Sequence, residues 1–167
     1  MSTLAFMSEP SSGAFDFQAL VRALAHNDSA DVFRPALTSE QWAVFGPYLQ
    51  PMPARQGQVL IQQNASDRNV YFIEEGTLTV HYEDSNGRIR LAKVDAGSAV
   101  GEGAFFSRQP RNATVQAASA CRLWSLTPLR FGELSNRQPA IALEIAMALG
   151  ALVSRRLAIT PRRVAVT

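Results

Sequence analysis

Between Met52 and Leu126 the chain is cut into short β-prone runs by glycine-bearing turns, and this narrows the folds open to it more than any other feature. The runs are Val59–Ile61, Val70–Ile73, Leu78–Tyr82, Arg88–Val94, Ala113–Ala117 and Arg122–Leu126. Gln56-Gly57, Glu75-Gly76, Asn86-Gly87 and Ala96-Gly97 punctuate them. Asn86-Gly87 between two runs predicts a hairpin with a type I′ turn, which needs positive φ at both central residues. Strands this short and this closely spaced predict an antiparallel barrel or jelly roll.

Helical periodicity flanks that region. Phe17, Leu20, Val21 and Leu24 recur at the three- and four-residue steps of one helix face. A second short helix is expected from Thr38, where Thr-Ser-Glu-Gln reads as a capping sequence, with Trp42, Phe45 and Leu49 on one side. Beyond Leu126, Thr127-Pro128 opens another short helix. A long helix follows from Pro139 to Ile159, expected to end before Pro161. Its apolar residues, among them Ile141, Leu143, Ile145, Met147 and Leu157, cover more than one face. A helix apolar on two sides packs on its own domain and on a second partner, and a homodimer seam over 139–159 is the simplest choice.

The pattern therefore predicts a mainly β fold with flanking helices: an antiparallel β-roll or jelly roll with N-terminal helices and a long C-terminal helix. Residues 1–50 form an N-terminal helical extension whose Ser/Pro/Gly-rich start, 1–13, is expected to fray. Residues 51–126 form the β-roll core, and 127–167 supply C-terminal helices for hinge and dimerisation.

Composition excludes several classes of function. Sixteen Lys+Arg against fourteen Asp+Glu leave a net charge of +2, which rules out histone-like binding driven by bulk charge. Cys121 alone makes neither an intramolecular disulfide nor a cysteine metal cluster, and His26 and His81 lie far apart. A metalloenzyme of the cupin sort needs clustered His and carboxylate ligands, which the β region lacks. No structural metal is expected. The N-terminus has no signal-peptide pattern. The apolar stretch Ile145–Val153 is too short for a bilayer, which takes about 20 residues. The expectation is a cytoplasmic protein without a membrane span.

Chemistry concentrates in Asp95–Val115, D-A-G-S-A-V-G-E-G-A-F-F-S-R-Q-P-R-N-A-T-V. A Gly-rich turn leads to Glu102, then to small and apolar residues able to start a short helix, and then to Arg111 ahead of a strand. Free N–H groups at a helix start, around Gly103, Ala104 and Phe105, offer donors to an anion. Arg111 can pair bidentately with phosphate oxygens. Glu102, ionised, only accepts, and so suits a hydroxyl such as a ribose 2′-OH. Phosphate donors beside a sugar acceptor are what a cyclic nucleoside monophosphate requires.

This segment resembles the phosphate-binding cassette of cyclic nucleotide-binding domains, through Gly101-Glu102, Ala104, Pro110-Arg111 and Ala113-Thr114-Val115. Spaced landmarks agree in order: Gly57 before Val59-Leu60, Tyr71 to Gly76, and Asp95-Ala96-Gly97. The resemblance covers about Leu37 to Leu157 and implies a β-roll flanked by helices. It also implies a cyclic nucleotide ligand, cyclic AMP ahead of cyclic GMP. Glu102 would bind the ribose 2′-hydroxyl and Arg111 the phosphate, with Gly101, Gly103, Ala104, Asn112 and Ala113 completing the cradle. The chain departs from the family pattern at Val100, Gly103 and Asn112, where the family has an aromatic, a bulky apolar and a small residue.

The function expected is a non-enzymatic cyclic nucleotide sensor that signals by moving its C-terminal helix to an unidentified output protein. Only Pro161 to Thr167 follow that helix, so direct DNA binding is not expected. The alternative is a ligand-free or non-nucleotide-binding interaction or dimerisation module on the same fold. Trp42, Trp124 and Cys121 read as packing residues and His81 as a surface strand residue. Arg155, Arg156, Arg162 and Arg163 form a basic run with no acid nearby, read as a solvated helix end. Contact with nucleic acid or an acidic partner, or a base-capping role for Arg155 or Arg156, is the functional alternative.

Overall fold

The structure, a computed structural model, describes residues 15–164, save the side chains of Arg90 and of residues 160–164. The Ser/Pro/Gly-rich start, 1–13, lies outside the described residues.

Helix α1, Phe17–His26, starts where Asp16 accepts a hydrogen bond from the Gln18 N–H at 3.0 Å. Helix α2, Ser39–Phe45, has the capping box expected at Thr38: its hydroxyl accepts from the Gln41 N–H at 3.2 Å, and the Gln41 side chain accepts from the Thr38 N–H at 3.0 Å. A 3₁₀ turn, Gly46–Tyr48, then feeds the sheets.

Eight strands follow: β1 Gln50–Ala54, β2 Val59–Ile61, β3 Val70–Glu75, β4 Thr77–Glu83, β5 Ile89–Asp95, β6 Ala99–Val100, β7 Thr114–Ala117 and β8 Cys121–Leu126. They form two four-stranded antiparallel sheets, ordered β1-β8-β3-β6 and β2-β7-β4-β5. The short helix α3, Glu102–Ser107, connects β6 to β7, and α4, Pro128–Arg137, and α5, Pro139–Val164, close the chain.

Strand β3 explains the layering. Successive side chains point to opposite faces, and here both faces are covered. Val70 and Phe72 pack with Leu20, Phe45, Ile145 and Leu149 against the helices, whereas Tyr71 and Ile73 pack with Leu78, Val94 and Val115 between the sheets. That is why its sequence reads as an unbroken apolar run. Each fully buried large side chain contributes about 1.5–3 kcal/mol of burial energy. Trp124 and Cys121 are packed in these two cores, as expected.

The expected strands and helices are present, and four features differ from expectation. Strand β1 carries Pro51 and Pro53 and was not legible as a strand; it sits at a sheet edge, where a residue without an N–H is tolerated. Strand β6 has only two residues, too few for a pattern. The β4–β5 hairpin forms, but not through a type I′ turn: only Gly87 takes positive φ (74°), and its N–H donates to the Asp84 carbonyl at 3.0 Å. The Asp84 side chain also accepts from the Asn86 and Arg88 N–H groups, each at 2.9 Å, which organises a longer loop. Lastly, α5 does not stop before Pro161 but runs on to Val164. A proline in a last turn removes one backbone bond without a cap that ends the helix.

Candidate functional site

The seven candidate residues Gly101, Glu102, Gly103, Ala104, Arg111, Asn112 and Ala113 line one cavity of about 490 Å³. Val80, Ala92 and Val94 contribute apolar lining from β4 and β5; Asp31, Arg156 and Ile159 line the cavity as well.

Helix α3 opens at Gly101, whose φ of 88° is left-handed. A Cβ there would lie 2.5 Å from the Asn69 carbonyl oxygen and 2.8 Å from Arg111 Nη1, so only glycine fits. The helix forms in spite of Gly103 and ends at Arg108, whose N–H donates to the Ala104 carbonyl at 3.1 Å. The Phe105 N–H, expected as an anion donor, is instead spent on the Gly101 carbonyl at 3.3 Å. Gly103 and Ala104 remain as first-turn donors. The Phe105 ring meets Phe131 of α4 edge-on, centroids 5.2 Å apart, so the short helix bears directly on a C-terminal one.

Arg111 is 3% exposed. Its Nη1 donates to the Gly101 carbonyl at 3.0 Å; its Nη2 donates to the Asn69 carbonyl and to Asp67 Oδ2, both at 2.7 Å. Backbone bonds from the Arg111 N–H to the Ala65 carbonyl and from the Asn64 N–H to the Arg111 carbonyl, each 2.8 Å, seat it against the loop before β3. Its Nε–H is buried and has no partner. An unmet donor on a buried cation costs roughly 1–3 kcal/mol. An anion is the natural relief.

Glu102, also on the cavity lining, accepts at Oε1 from Arg156 Nη1 at 2.6 Å. Arg156 is not solvated, contrary to the reading of the basic run. Its Nε and Nη2 donate to the two Asp31 oxygens at 2.7 and 3.1 Å, and Nη2 also reaches Ser98 Oγ at 3.1 Å and the Ala99 carbonyl at 2.8 Å. Burial opposes its charge, but the Asp31 and Glu102 carboxylates more than offset that and raise its pKa. Arg155 is engaged too, donating from Nε to the Ala30 carbonyl at 2.8 Å and from Nη2 to the Val32 carbonyl at 2.6 Å. Both arginines left the solvated state because the α1–α2 loop folds back onto α5 and supplies acceptors that no local pattern reveals. The side chains of Arg162 and Arg163 lie outside the described residues.

Sequence reasoning missed Asp31, Asp67, Asn69 and Ser98. Asp31, Asp67 and Asn69 reach the site from loops outside the Asp95–Val115 segment, with nothing in their own neighbourhoods to mark them. Ser98 lies inside that segment, where it reads as one residue of the Gly-rich turn. His81 lies half-exposed on β4, away from the cavity lining. Among the described residues, no three His, Cys, Asp or Glu are grouped to hold a metal ion, and no helix is long and apolar enough to cross a membrane.

Comparison with known proteins bears on this geometry. In sequence, the chain is 29% identical over 126 residues to the cAMP-activated global transcriptional regulator of Escherichia coli O6:H1, covering 74% of this chain and 57% of that one. It is 35% identical over 94 residues to a cyclic nucleotide-gated potassium channel of Rhizobium etli, covering 56% of this chain and 25% of the channel. The chain thus spans little more than half of the one and a quarter of the other. In structure, it resembles a cyclic nucleotide-binding domain from Methylobacillus flagellatus KT, with TM-score 0.77 at 20% identity over 88% of this chain and 81% of that one. It also resembles the catabolite activator protein of Thermus thermophilus, with TM-score 0.68 at 22% identity over 86% and 62%. At such identities the likeness is one of fold. Residues 51–138, most of the β-roll together with α4, match the sequence profile of the cyclic nucleotide-binding domain, and the chain belongs to that family.

Proposed function

We propose that this chain is a cyclic nucleotide sensor with a regulatory rather than catalytic role. The observation that carries the reading is the presence, on the lining of one cavity, of a buried cation with an unmet Nε–H donor, Arg111, and a carboxylate, Glu102, with one oxygen held by Arg156. The phosphate would lie against Arg111 and the N–H groups of Gly103 and Ala104, with Asn112 and Ala113 beside it. The ribose 2′-hydroxyl would donate to Glu102, and the base would rest on the apolar lining. Cyclic AMP is the favoured ligand, in keeping with the regulator named for it among the relatives.

The output would pass through α5. Arg156 ties that helix to Glu102, so a ligand on Glu102 acts on the helix directly; a shift follows only if ligand contacts differ between two helix positions. Leu143, Met147 and Leu157 are 60%, 64% and 66% exposed on α5 and would form a homodimer seam. Sedimentation of the wild type against Met147→Asp would test it, with a monomeric variant expected. An unidentified output protein would receive the signal in the cytoplasm.

Isothermal titration of the whole chain with cyclic AMP and cyclic GMP, with Arg111→Ala alongside, tests the site. Saturable binding lost in the variant supports the reading; no binding in folded, ligand-free protein sinks it. One observation favours the interaction module instead: most Arg111 donors and one Glu102 oxygen are already taken within the protein. In that case millimolar nucleotide would leave the melting temperature unmoved, whereas a true ligand raises it by mass action.

A further inference from the structure

Asp31 lies before residue 51, where the family match begins, in the loop between α1 and α2. It nevertheless lines the cavity. Its two oxygens accept from Arg156 Nε at 2.7 Å and Nη2 at 3.1 Å, and the remaining nitrogen, Nη1, donates to Glu102 Oε1 at 2.6 Å. A guanidinium is planar and rigid. A carboxylate that fixes Nε and Nη2 therefore fixes where Nη1 points, and with it the Glu102 carboxylate.

The loop is anchored well enough to serve as that reference. The Phe33 N–H donates to the Gly97 carbonyl at 3.0 Å, and Asn27 Nδ2 donates to the Ala96 carbonyl at 3.0 Å. Ser98 Oγ donates to Asp31 Oδ2 at 3.2 Å. Arg155 grips the carbonyls of Ala30 and Val32, on either side of Asp31. Two acids and one guanidinium also leave this side of the cavity acidic, which favours a hydroxyl donor over a phosphate.

We propose that Asp31 is a positioning residue for the ligand's sugar: through Arg156 it orients Glu102 so that Oε2 meets the ribose 2′-hydroxyl. This rests on the reading of the cavity as a nucleotide site and extends that site to the N-terminal segment. Asp31 touches no ligand itself. Among the ligand's contacts, its loss acts on the sugar alone.

The test is titration of the whole chain, wild type and Asp31→Asn, with cyclic AMP and 2′-deoxy cyclic AMP, and with the guanine pair in parallel. A hydrogen bond to a charged group makes the wild type favour the ribo form by about tenfold or more. Asp31→Asn is expected to weaken the ribo form by about five- to tenfold and to leave the deoxy form within about twofold, drawing the ratio toward one. Equal weakening of both forms means a merely structural role and overturns the proposal, as does an unchanged ratio; either leaves the nucleotide reading standing. Tighter binding of the ribo form also overturns it, because Arg156 would then be competing with the sugar for Glu102. A wild type that binds neither nucleotide overturns the site reading and this proposal together. Should Asp31→Asn fail to fold, Arg156→Lys reads the same ratio, since an ammonium lacks the fork that spans both carboxylates.

Discussion

Arg111 and Arg156 both line one cavity, both largely withdrawn from water, and they are satisfied in different ways. Arg111 meets one carboxylate, Asp67, whose side chain is 45% exposed, and keeps a buried Nε–H without a partner. Arg156 meets two carboxylates, Asp31 and Glu102, as well as a hydroxyl and a carbonyl. A buried cation with an unmet donor carries a cost that an anion can remove. A cation shared between carboxylates on different elements holds those elements together. On the proposed reading of the cavity, the contrast separates a group poised for a ligand from a fastener that joins the ligand's acceptor to a helix.

The largest expected effect is on the first group. Arg111→Ala should weaken cyclic nucleotide binding by about 2–5 kcal/mol, the usual loss when one partner of a buried charged contact is removed. Titration of the purified variant checks it, and unchanged affinity would show that Arg111 is not the phosphate group. Arg156→Ala should act first on stability, lowering the unfolding free energy in urea by about 1.5–3 kcal/mol. If that variant instead kept full stability and lost binding as Arg111→Ala does, the distinction between poised donor and fastener would collapse.

Smaller changes sharpen the contrast. Glu102→Gln keeps an acceptor oxygen but not the charge, so nucleotide affinity should fall by about 1–2 kcal/mol; a larger fall for 2′-deoxy cyclic AMP than for cyclic AMP would contradict the sugar contact. Ser98→Ala removes a hydroxyl that accepts from Arg156 and donates to Asp31. It should cost only about 0.5–1 kcal/mol of stability. Denaturation midpoints with an unchanged urea slope would show it, and a loss as large as that of Arg156→Ala would mean that the hydroxyl, not the carboxylates, holds the guanidinium.

The two clusters also differ in how far the sequence exposes them. Gly101-Glu102 and Pro110-Arg111 lie within one short segment, where turn, helix start and strand follow in order, so both candidate side chains were legible before any fold was known. The early strand boundaries were legible because Gly57, Gly76, Gly87 and Gly97 separate β1 from β2, β3 from β4, β4 from β5 and β5 from β6, although the Asn86-Gly87 turn took another shape once the Asp84 side chain captured two backbone N–H groups. Strand β1 escaped because its prolines argue against a strand unless the strand is known to lie at an edge. Asp31 and Arg156 are 125 residues apart in sequence, and no periodicity links them.

By itself, then, the sequence determined the β-roll, its helical flanks and the cassette carrying Glu102 and Arg111, since alternation, capping and turn chemistry act over a few neighbouring residues. Only the tertiary structure decided that Asp67 neutralises Arg111, that Arg155 and Arg156 of α5 are engaged rather than solvated, and that the N-terminal loop walls the cavity. Those outcomes depend on which distant acceptors a desolvated guanidinium finds when the layers close, and that pairing is set by packing in three dimensions.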